Sequence, residues 1–401
     1  MKLLIIIILF IWLVACQSEQ QMERHSGIEK ISVSLHEAEN KLSMSEYFSE
    51  IKYLPLIVSS GQPIGNLTKI IVKNDFYAFY DRSRNSAWLF DFDGIFIREI
   101  RIPQGGGPGE LNHMTDLLVT DNQRVFALGA HKIVEYDMEE KFVDVVNFDY
   151  FAYNFTYDSV TDLFITSAEN DLNLTLESKH AGNNLIYLNR NGEITDSRLP
   201  IPAGREFIRQ VPPNRFPLFE DIELYSPHLV DTIYTVNQSD IEPRYILDFG
   251  EASATVDVFS QRSNYGSSLY DWAGFYREEL QGGGFVFVIQ VFNETNNFIH
   301  LRFGAGDNYY NTFYDKHTGE SRTGPARLTN DIDYGIAPFI YQSSDDALMA
   351  LLQPGELIDH VEYYREHYPE KYDSSRMEDL IALTDTLERY GNPVLKIARF
   401  K

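Results

Sequence analysis

The sequence predicts an all-β fold, a six-bladed β-propeller, with a helical insert between blades 4 and 5 and further helices before a closing strand. The first observation is a repeated unit of apolar strand, polar turn and apolar strand, first seen as SAWLFDFDGIFIREI at 86–100. Five copies are present, and the first four are about 50 residues apart, which is close to the length of a propeller blade. A second family of turns, six in number, lies between further strands. The chain departs from this pattern at two places, and both have helical character.

Glycines mark the tight turns of the repeated unit at Gly94, Gly192 and Gly319. Glycine adopts the positive φ of such turns without steric cost. The second copy turns near Glu140 and the fourth near Asp240, both without glycine. The other family of turns is centred on Asn74, Asn122, Val160, Pro213, Glu294 and Asp345.

The excess of about 30 residues between the fourth and fifth copies falls on 251–284, where strand alternation stops. Its segment SSLYDWAGFYREEL predicts a helix with Ser267 or Ser268 as N-cap. The rings of Tyr270, Trp272 and Tyr276 are candidate ligand-binding residues, because aromatic clusters suit stacking on a sugar or gripping a peptide. The alternative is that they dock the insert onto the blades. Helical spacing supports this alternative for Leu269, Trp272, Phe275, Tyr276 and Leu280.

The sixth blade cannot be completed from consecutive residues. Its first turn at Asp345 is followed by a helical segment over 355–390 and then by a strand at 393–400. A ring has no free edge only if its ends meet. The strand Val394–Phe400 is therefore expected to pair with Ala347–Leu352, and a strand within Ile31–Ile57 to cover its outer edge.

The N-terminus resembles a lipoprotein signal peptide over residues 1–15. A charge at Lys2 precedes an apolar run from Leu3 to Val14, which is too short to cross the roughly 30 Å hydrocarbon core of a membrane. Leu13 to Cys16 resembles a lipobox, so we expect Cys16 to be lipidated, 16–30 to form a tether and 31–401 to form one propeller domain. The expected location is the cell envelope, with a lipid anchor in the outer membrane. The sequence does not distinguish the periplasmic from the surface-facing leaflet. The alternative is an ordinary secretory signal that happens to contain a cysteine.

Composition excludes several classes of function. Cys16 is the only cysteine, so lipidation would leave the domain without a thiol for a disulfide, a nucleophile or a zinc site. The formal net charge of −25 argues against nucleic acid as a partner, because binding a polyanion needs a basic face.

The sequence predicts no catalytic, metal or cofactor site. The glycine-rich stretch of Gly105, Gly107, Pro108 and Gly109 could cradle a phosphate, but no Lys-Ser/Thr follows and no helix begins there. A structural turn between blades 1 and 2 is expected instead. The two Asp-x-Asp segments at 91–93 and 331–333 lack the later acidic ligands of a calcium loop. The sequence contains neither HExxH nor GxSxG.

The composite of three stretches resembles a known family. EYFSEIKYLPLI, GNLTKIIVKNDFYAFYD and WLFDFDGIFIREIRIPQGGGPGELNHMTDLLV are similar to the opening of the six-bladed β-propeller lipoproteins of Bacteroidota. The similarity continues through LTNDIDYGIAPF to the terminal GNPVLKIARFK. These proteins are related in architecture to NHL and TolB-like propellers. The resemblance implies the fold and an envelope location, but it supplies no catalytic residues because the group has no assigned reaction.

Three functions are open from the sequence. The favoured one is a non-catalytic binding module for an unknown protein, peptide or glycan, without a cofactor. The second is a hydrolase or lyase of lactonase-like type that uses a channel metal, which requires several carboxylate, Asn or His side chains to converge. The third is a structural subunit of an outer-membrane complex, which predicts a contiguous apolar patch.

Overall fold

The computed structural model describes residues 28–59, 64–210, 212, 214–236, 240–266, 269–337, 342–344 and 346–401. Their strands form six sheets arranged as a six-bladed β-propeller, so the predicted fold is confirmed. Two strands and a helix precede blade 1 in the chain: β1 (Glu29–Ser32), α1 (Met44–Tyr47) and β2 (Phe48–Pro55).

Blades 1 to 3 are regular four-stranded antiparallel meanders. Blade 1 contains β3 (Leu67–Val72), β4 (Tyr77–Asp81), β5 (Ser86–Phe90) and β6 (Phe96–Arg101). Blade 2 contains β7 (Asp116–Val119), β8 (Arg124–Leu128), β9 (Lys132–Asp137) and β10 (Phe142–Asn147). Blade 3 contains β11 (Asn154–Asp158), β12 (Leu163–Ser167), β13 (Asn183–Leu188) and β14 (Ile194–Pro200).

Blades 4 and 5 flank the predicted helical insert. Blade 4 contains β15 (Leu218–Phe219), β16 (Ile222–Tyr225), β17 (Thr232–Val236) and β18 (Ile241–Asp248). The insert contains a 3-10 turn (Gly250–Ala252), α2 (Val256–Ser260), a second 3-10 turn (Gln261–Asn264), α3 (Leu269–Phe275) and a π-helical turn (Tyr276–Gln281). Blade 5 contains β19 (Val286–Glu294), β20 (Phe298–Ala305), β21 (Asn308–Asp315) and β22 (Ser321–Pro325).

Blade 6 closes the ring with strands from both ends of the chain. Its elements are β23 (Gln342–Ser344), β24 (Ala347–Leu352), α4 (Pro354–His367), α5 (Pro369–Tyr372), α6 (Glu378–Thr384) and β25 (Val394–Phe400). β25 pairs with β24 from Leu352↔Val394 to Ala347↔Arg399. β2 pairs with the other edge of β25 and becomes the outermost strand. Both predicted pairings of the closing strand are confirmed.

The N-terminal segment also joins blade 4, which the sequence did not indicate. β1 adds to the outer edge of β18 as a parallel fifth strand, with Glu29 opposite Tyr245 and Ser32 opposite Asp248. The chain then crosses blade 5, where the Arg322 guanidinium lies 2.7 Å from a carboxylate oxygen of Glu39. Segment 29–55 thus connects blades 4, 5 and 6.

The outer turns of four blades share one arrangement. In blade 1 the Asp91 carboxylate accepts hydrogen bonds from the backbone N–H of Asp93 at 3.0 Å and of Ile95 at 2.8 Å. The same acceptor position is occupied in blades 2, 3 and 5 by Asp137, Asn189 and Asp315. The turns pass through positive φ at Gly94 (78°), Glu140 (64°), Gly192 (80°) and Gly319 (75°). Asp91 is therefore engaged in turn formation.

One of these glycines is also required by close packing between blades. A Cβ at Gly192 would lie 2.0 Å from the carbonyl oxygen of Asn147 at the end of β10. The outer turn of blade 3 therefore rests directly on the backbone of blade 2.

The first turn of blade 4 differs from the prediction. It lies at Glu220–Asp221, both at positive φ, and not at Pro213, which falls outside the described residues. β15 is only two residues long, so it has no alternation that could reveal it in the sequence. The predicted turn centre at Asp345 and the candidate N-caps Ser267 and Ser268 also lie outside the described residues.

The hydrophobic core lies between adjacent blades. One buried cluster joins Tyr80 and Leu89 of blade 1 to Leu117 and Val134 of blade 2. Equivalent clusters fill the other interfaces, and one packs α4 and α6 against blade 6. Each blade is thus stabilised chiefly by its neighbours.

Candidate functional site

Long segments of chain are concentrated on one face of the ring. Apart from β1, the strands of each blade alternate in direction. The links between blades and the links between second and third strands therefore emerge on the same face, here named the loop face. The longest links on the loop face are 201–217, 249–285, 326–341 and 353–393, and 168–182 is nearly as long. In the described part of the chain, the opposite face, the turn face, carries short hairpins such as 73–76, 91–95 and 220–221. Binding residues concentrate on loops held by a rigid scaffold, so the loop face is the candidate functional surface.

The insert forms two adjoining cavities with the connection between blades 3 and 4. The insert groove is the outer one, with a volume of about 470 Å³. Its lining includes Gly204, Glu206, Val256, Phe259, Arg262 and Tyr265. The insert cleft is the inner, narrower one, with a volume of about 40 Å³. Its lining includes Arg205, Leu229, Asp231, Phe249, Phe259 and Val288.

A glycine brings Arg205 onto the insert. Gly204 has φ of 80°, and a Cβ there would lie 2.5 Å from the carbonyl oxygen of Phe259 in α2. This contact places the Arg205 guanidinium 4.0 Å from the centre of the Phe259 ring. Burial lowers the pKa of Arg205, while the carboxylates of Asp231 and Glu206 partly oppose the shift. Arg205 remains charged and stacks on a buried aromatic ring.

The predicted aromatic residues of the insert belong to the same apolar cluster as Phe259. Trp272 and Tyr276 are half-buried, with ring centres 5.3 Å apart. Tyr276 also packs edge-on against Phe287 at 5.3 Å, and its hydroxyl donates to the Phe287 carbonyl oxygen at 3.3 Å. Both rings therefore dock the insert and still retain exposed area. The side chain of Tyr270 lies outside the described residues.

The sequence did not identify Arg205 or Phe259 as members of this site. Arg205 lies in an irregular connection without periodicity, and Phe259 lies in a five-residue helix. They are 54 positions apart in the chain. The Gly204 residue before Arg205 was the one available local sign of close backbone packing.

In the glycine-rich stretch between blades 1 and 2, a glutamate carboxylate occupies the place that a phosphate would take. The Glu110 carboxylate accepts a hydrogen bond from the Gly107 N–H at 2.8 Å and lies close enough to Gly105 to exclude a Cβ there. The Tyr136 hydroxyl donates to the Gly109 carbonyl oxygen at 2.6 Å. The Pro108 turn is thereby held against blade 2, as a structural turn requires.

Polar groups on the inner strands tie neighbouring blades together. The Asp116 carboxylate lies 2.6 Å from the Lys69 ammonium of blade 1 and accepts a hydrogen bond from the Phe155 N–H of blade 3 at 3.2 Å. Within the described ranges, no group of three or more His, Cys, Asp or Glu side chains is arranged to hold a metal ion.

A partly buried carboxyl group lies between blades 3 and 4. Glu223 accepts a hydrogen bond from the Thr156 hydroxyl, and burial raises its pKa to about 7 despite that hydrogen bond. The nearby Asp158 carboxylate contributes to the rise, and Lys73 opposes it.

Replacing Glu223 with Gln is expected to alter the pH dependence of stability. The native state binds more protons than the unfolded state between the ordinary pKa of 4.5 and about 7, so the free energy of unfolding falls as pH rises through that window. Glu223→Gln should remove this fall and stabilise the protein by on the order of 2 kcal/mol at pH 8, with little effect at pH 4.

Urea denaturation at pH 4, 6 and 8 measures this effect. Glu220→Gln, an exposed carboxylate in the adjacent turn, is the control and should follow wild type. Parallel pH profiles for wild type and Glu223→Gln would contradict the assignment.

The fold and its elaborated loop face define the protein as a six-bladed β-propeller with a ligand-sized groove beneath a helical insert. The chain belongs to the family described as Domain of unknown function (DUF4934), whose model matches residues 29–399. A crystal structure of a Bacteroides fragilis NCTC 9343 protein thought to be exported has a TM-score of 0.71 at 17% identity, covering 93% of this chain and 99% of that one.

A second structure, of a DUF4221 family member from Bacteroides vulgatus ATCC 8482, has a TM-score of 0.48 at 9% identity, covering 88% of this chain and 97% of that one. No curated protein matches this chain. In the part of the chain that the structure describes, no helix is long and apolar enough to cross a membrane.

Proposed function

We propose that this chain is a non-catalytic binding module of the bacterial cell envelope, which presents its loop face to a protein, peptide or glycan. The observation that carries the proposal is the placement of the longest links, the insert groove and the insert cleft on one face. The opposite face consists of hairpins that are held by their own Asp and Asn side chains. A rigid ring with one elaborated face is the arrangement that a scaffold for recognition requires.

The anchor part of the proposal combines Cys16 with the direction of β1. Because β1 is parallel to β18, which leads from the turn face to the insert, Glu29 at the start of β1 lies at the turn-face end of this strand pair. The Tyr314 hydroxyl, beside an outer turn of blade 5, donates to the Glu29 carboxylate at 2.5 Å. An N-terminal lipid at Cys16 would therefore favour an orientation with the loop face directed away from the outer membrane.

Replacing the proposed lipidation site is expected to release the protein from the membrane. Wild type should fractionate with membranes and carry a mass increment on Cys16, since attachment by more than one acyl chain is stable. The Cys16→Ser variant should not appear in the membrane fraction as processed protein. An unmodified thiol at Cys16, or unchanged fractionation of the variant, would contradict the anchor.

Two exposed valines on opposite faces test the binding surface. Val256 lines the insert groove and is 76% exposed, and Val160 in a turn-face hairpin is 83% exposed. Labelled chain 17–401 is applied to an oligosaccharide microarray and to a peptide array. We expect binding to a defined probe, a loss of at least about tenfold with Val256→Arg, and no loss with Val160→Arg. Absence of binding on both arrays, or equal behaviour of the two variants, would count against the proposal.

A further inference from the structure

Three buried N–H donors without acceptors lie around the insert. The Nε–H of Arg205, the Nε–H of Arg262 and the indole N–H of Trp272 are shielded from solvent, and none of them has a hydrogen-bond partner among the described residues. A buried donor that lacks an acceptor destabilises the folded protein. All three are donors, so the insert region has an unmet demand for hydrogen-bond acceptors.

Arg205 combines this demand with a positive charge. Its guanidinium is stacked on Phe259 and forms no ion pair with a carboxylate in the described part of the chain. Asp231 and Glu206 influence it electrostatically without bonding to it. Arg215 and Arg244, two other arginines that are largely buried, both pair with a glutamate.

The walls of the insert cleft indicate which chemical groups a ligand carries beside the acceptor that binds Arg205. Beside Arg205 they are formed largely by apolar side chains, among them Leu229, Phe249, Val286, Val288 and Ile289. Because the cleft holds only about 40 Å³, a ligand that satisfies Arg205 places its head group there and its apolar portion along Phe259, which also lines the insert groove. A planar carboxylate matches the fork of a guanidinium, whereas a more highly charged anion is opposed by the net charge of −25.

We propose that the insert cleft binds the head group of a monocarboxylate that has an apolar chain, with the carboxylate on Arg205 and the chain extending along Phe259 into the insert groove. This inference rests on the proposed binding role of the loop face and specifies its ligand. The same chemistry is presented by a free aliphatic carboxylic acid and by the C-terminal residue of a peptide. Trp272 belongs to the same apolar cluster, so a change in its fluorescence would report that a ligand is bound.

Calorimetric titration of chain 17–401, which contains every strand of the ring, tests the ligand class. The probes are octanoate with octanamide, a heptapeptide ending in Leu with a free or an amidated C-terminus, and inorganic phosphate. We expect at least one carboxylate to bind about tenfold or more tightly than its amide, and phosphate to bind no better than the amides. Octanoate binding alone indicates a free acid, and peptide binding alone indicates a C-terminus. Equal affinity of each acid and its amide, or preference for phosphate, would overturn the proposal without relying on any variant.

Variants then locate the site. Arg205→Gln is expected to reduce carboxylate affinity at least about tenfold, with a smaller loss for Arg205→Lys, which keeps the charge without the fork. Arg277→Gln, which removes an exposed arginine of the insert, is the matched control and should bind as wild type. Retention of affinity by Arg205→Gln would exclude this cleft. If the array probe still depends on Val256 while no carboxylate binds, only this inference fails and the binding role stands.

Discussion

Removal of residues 393–401 is expected to abolish cooperative folding of the whole propeller. β25 lies between β24 and β2, so its loss separates the N-terminal strand from the rest of blade 6. Its side chains from Val394 to Ala398 are at most 1% exposed. The deletion therefore exposes two strand edges and apolar surface that is shared with blade 1 through Leu395 and Ile397.

The expected loss is comparable to the entire stability of a typical domain, about 5–15 kcal/mol. Thermal melting followed by circular dichroism and light scattering would measure it, with aggregation expected well below the melting temperature of wild type. A chain that lacks only the exposed Lys401 is the control and should melt close to wild type. A 393–401 deletion that melts like wild type would refute the closure mechanism.

Replacing Arg215 with Met is expected to cost about 3–5 kcal/mol, because it leaves a buried carboxylate without its partner. Arg215 and Glu169 form a two-pronged pair, with both N–O distances 2.6 Å, and their side chains are 2% and 0% exposed. The guanidinium also donates to the carbonyl oxygens of Ser226 and Gln210 at 2.5 Å. These contacts hold the blade 3–4 connection, which carries Arg205, against two loops of the loop face.

Chemical denaturation of a double-mutant cycle measures this coupling. Glu169→Gln combined with Arg215→Met should recover part of the loss, since the charge without a partner is removed. Arg209→Met is the control on the same connection: Arg209 is 38% exposed in its pair with Asp171, so its loss should cost less than the loss of Arg215. Additive effects of the two substitutions would show that the pair is not coupled.

Predictions from the sequence were most successful where the signal is local. Turns such as Asp91–Gly94 recur with strand alternation on both sides, so the number and spacing of blades followed from short-range pattern. The closing strand followed from a topological requirement, because a blade without its outer strands leaves an open edge. Both of its predicted partners were correct.

The tertiary structure alone decided the arrangements that depend on distant, non-periodic segments. β1 joins blade 4 because the register with β18 buries Ile31, and four residues carry too little pattern to reveal this. The contact of Arg205 with Phe259 arises from the packing of an irregular connection on a short helix.

The sequence by itself therefore determined the six-bladed ring, its outer turns and the strand that closes it, since period and turn chemistry are written in neighbouring residues. Only the tertiary structure decided which side chains meet beneath the insert and which donors are left without acceptors. Burial and hydrogen-bond satisfaction are properties of the packed chain, and no local pattern encodes them.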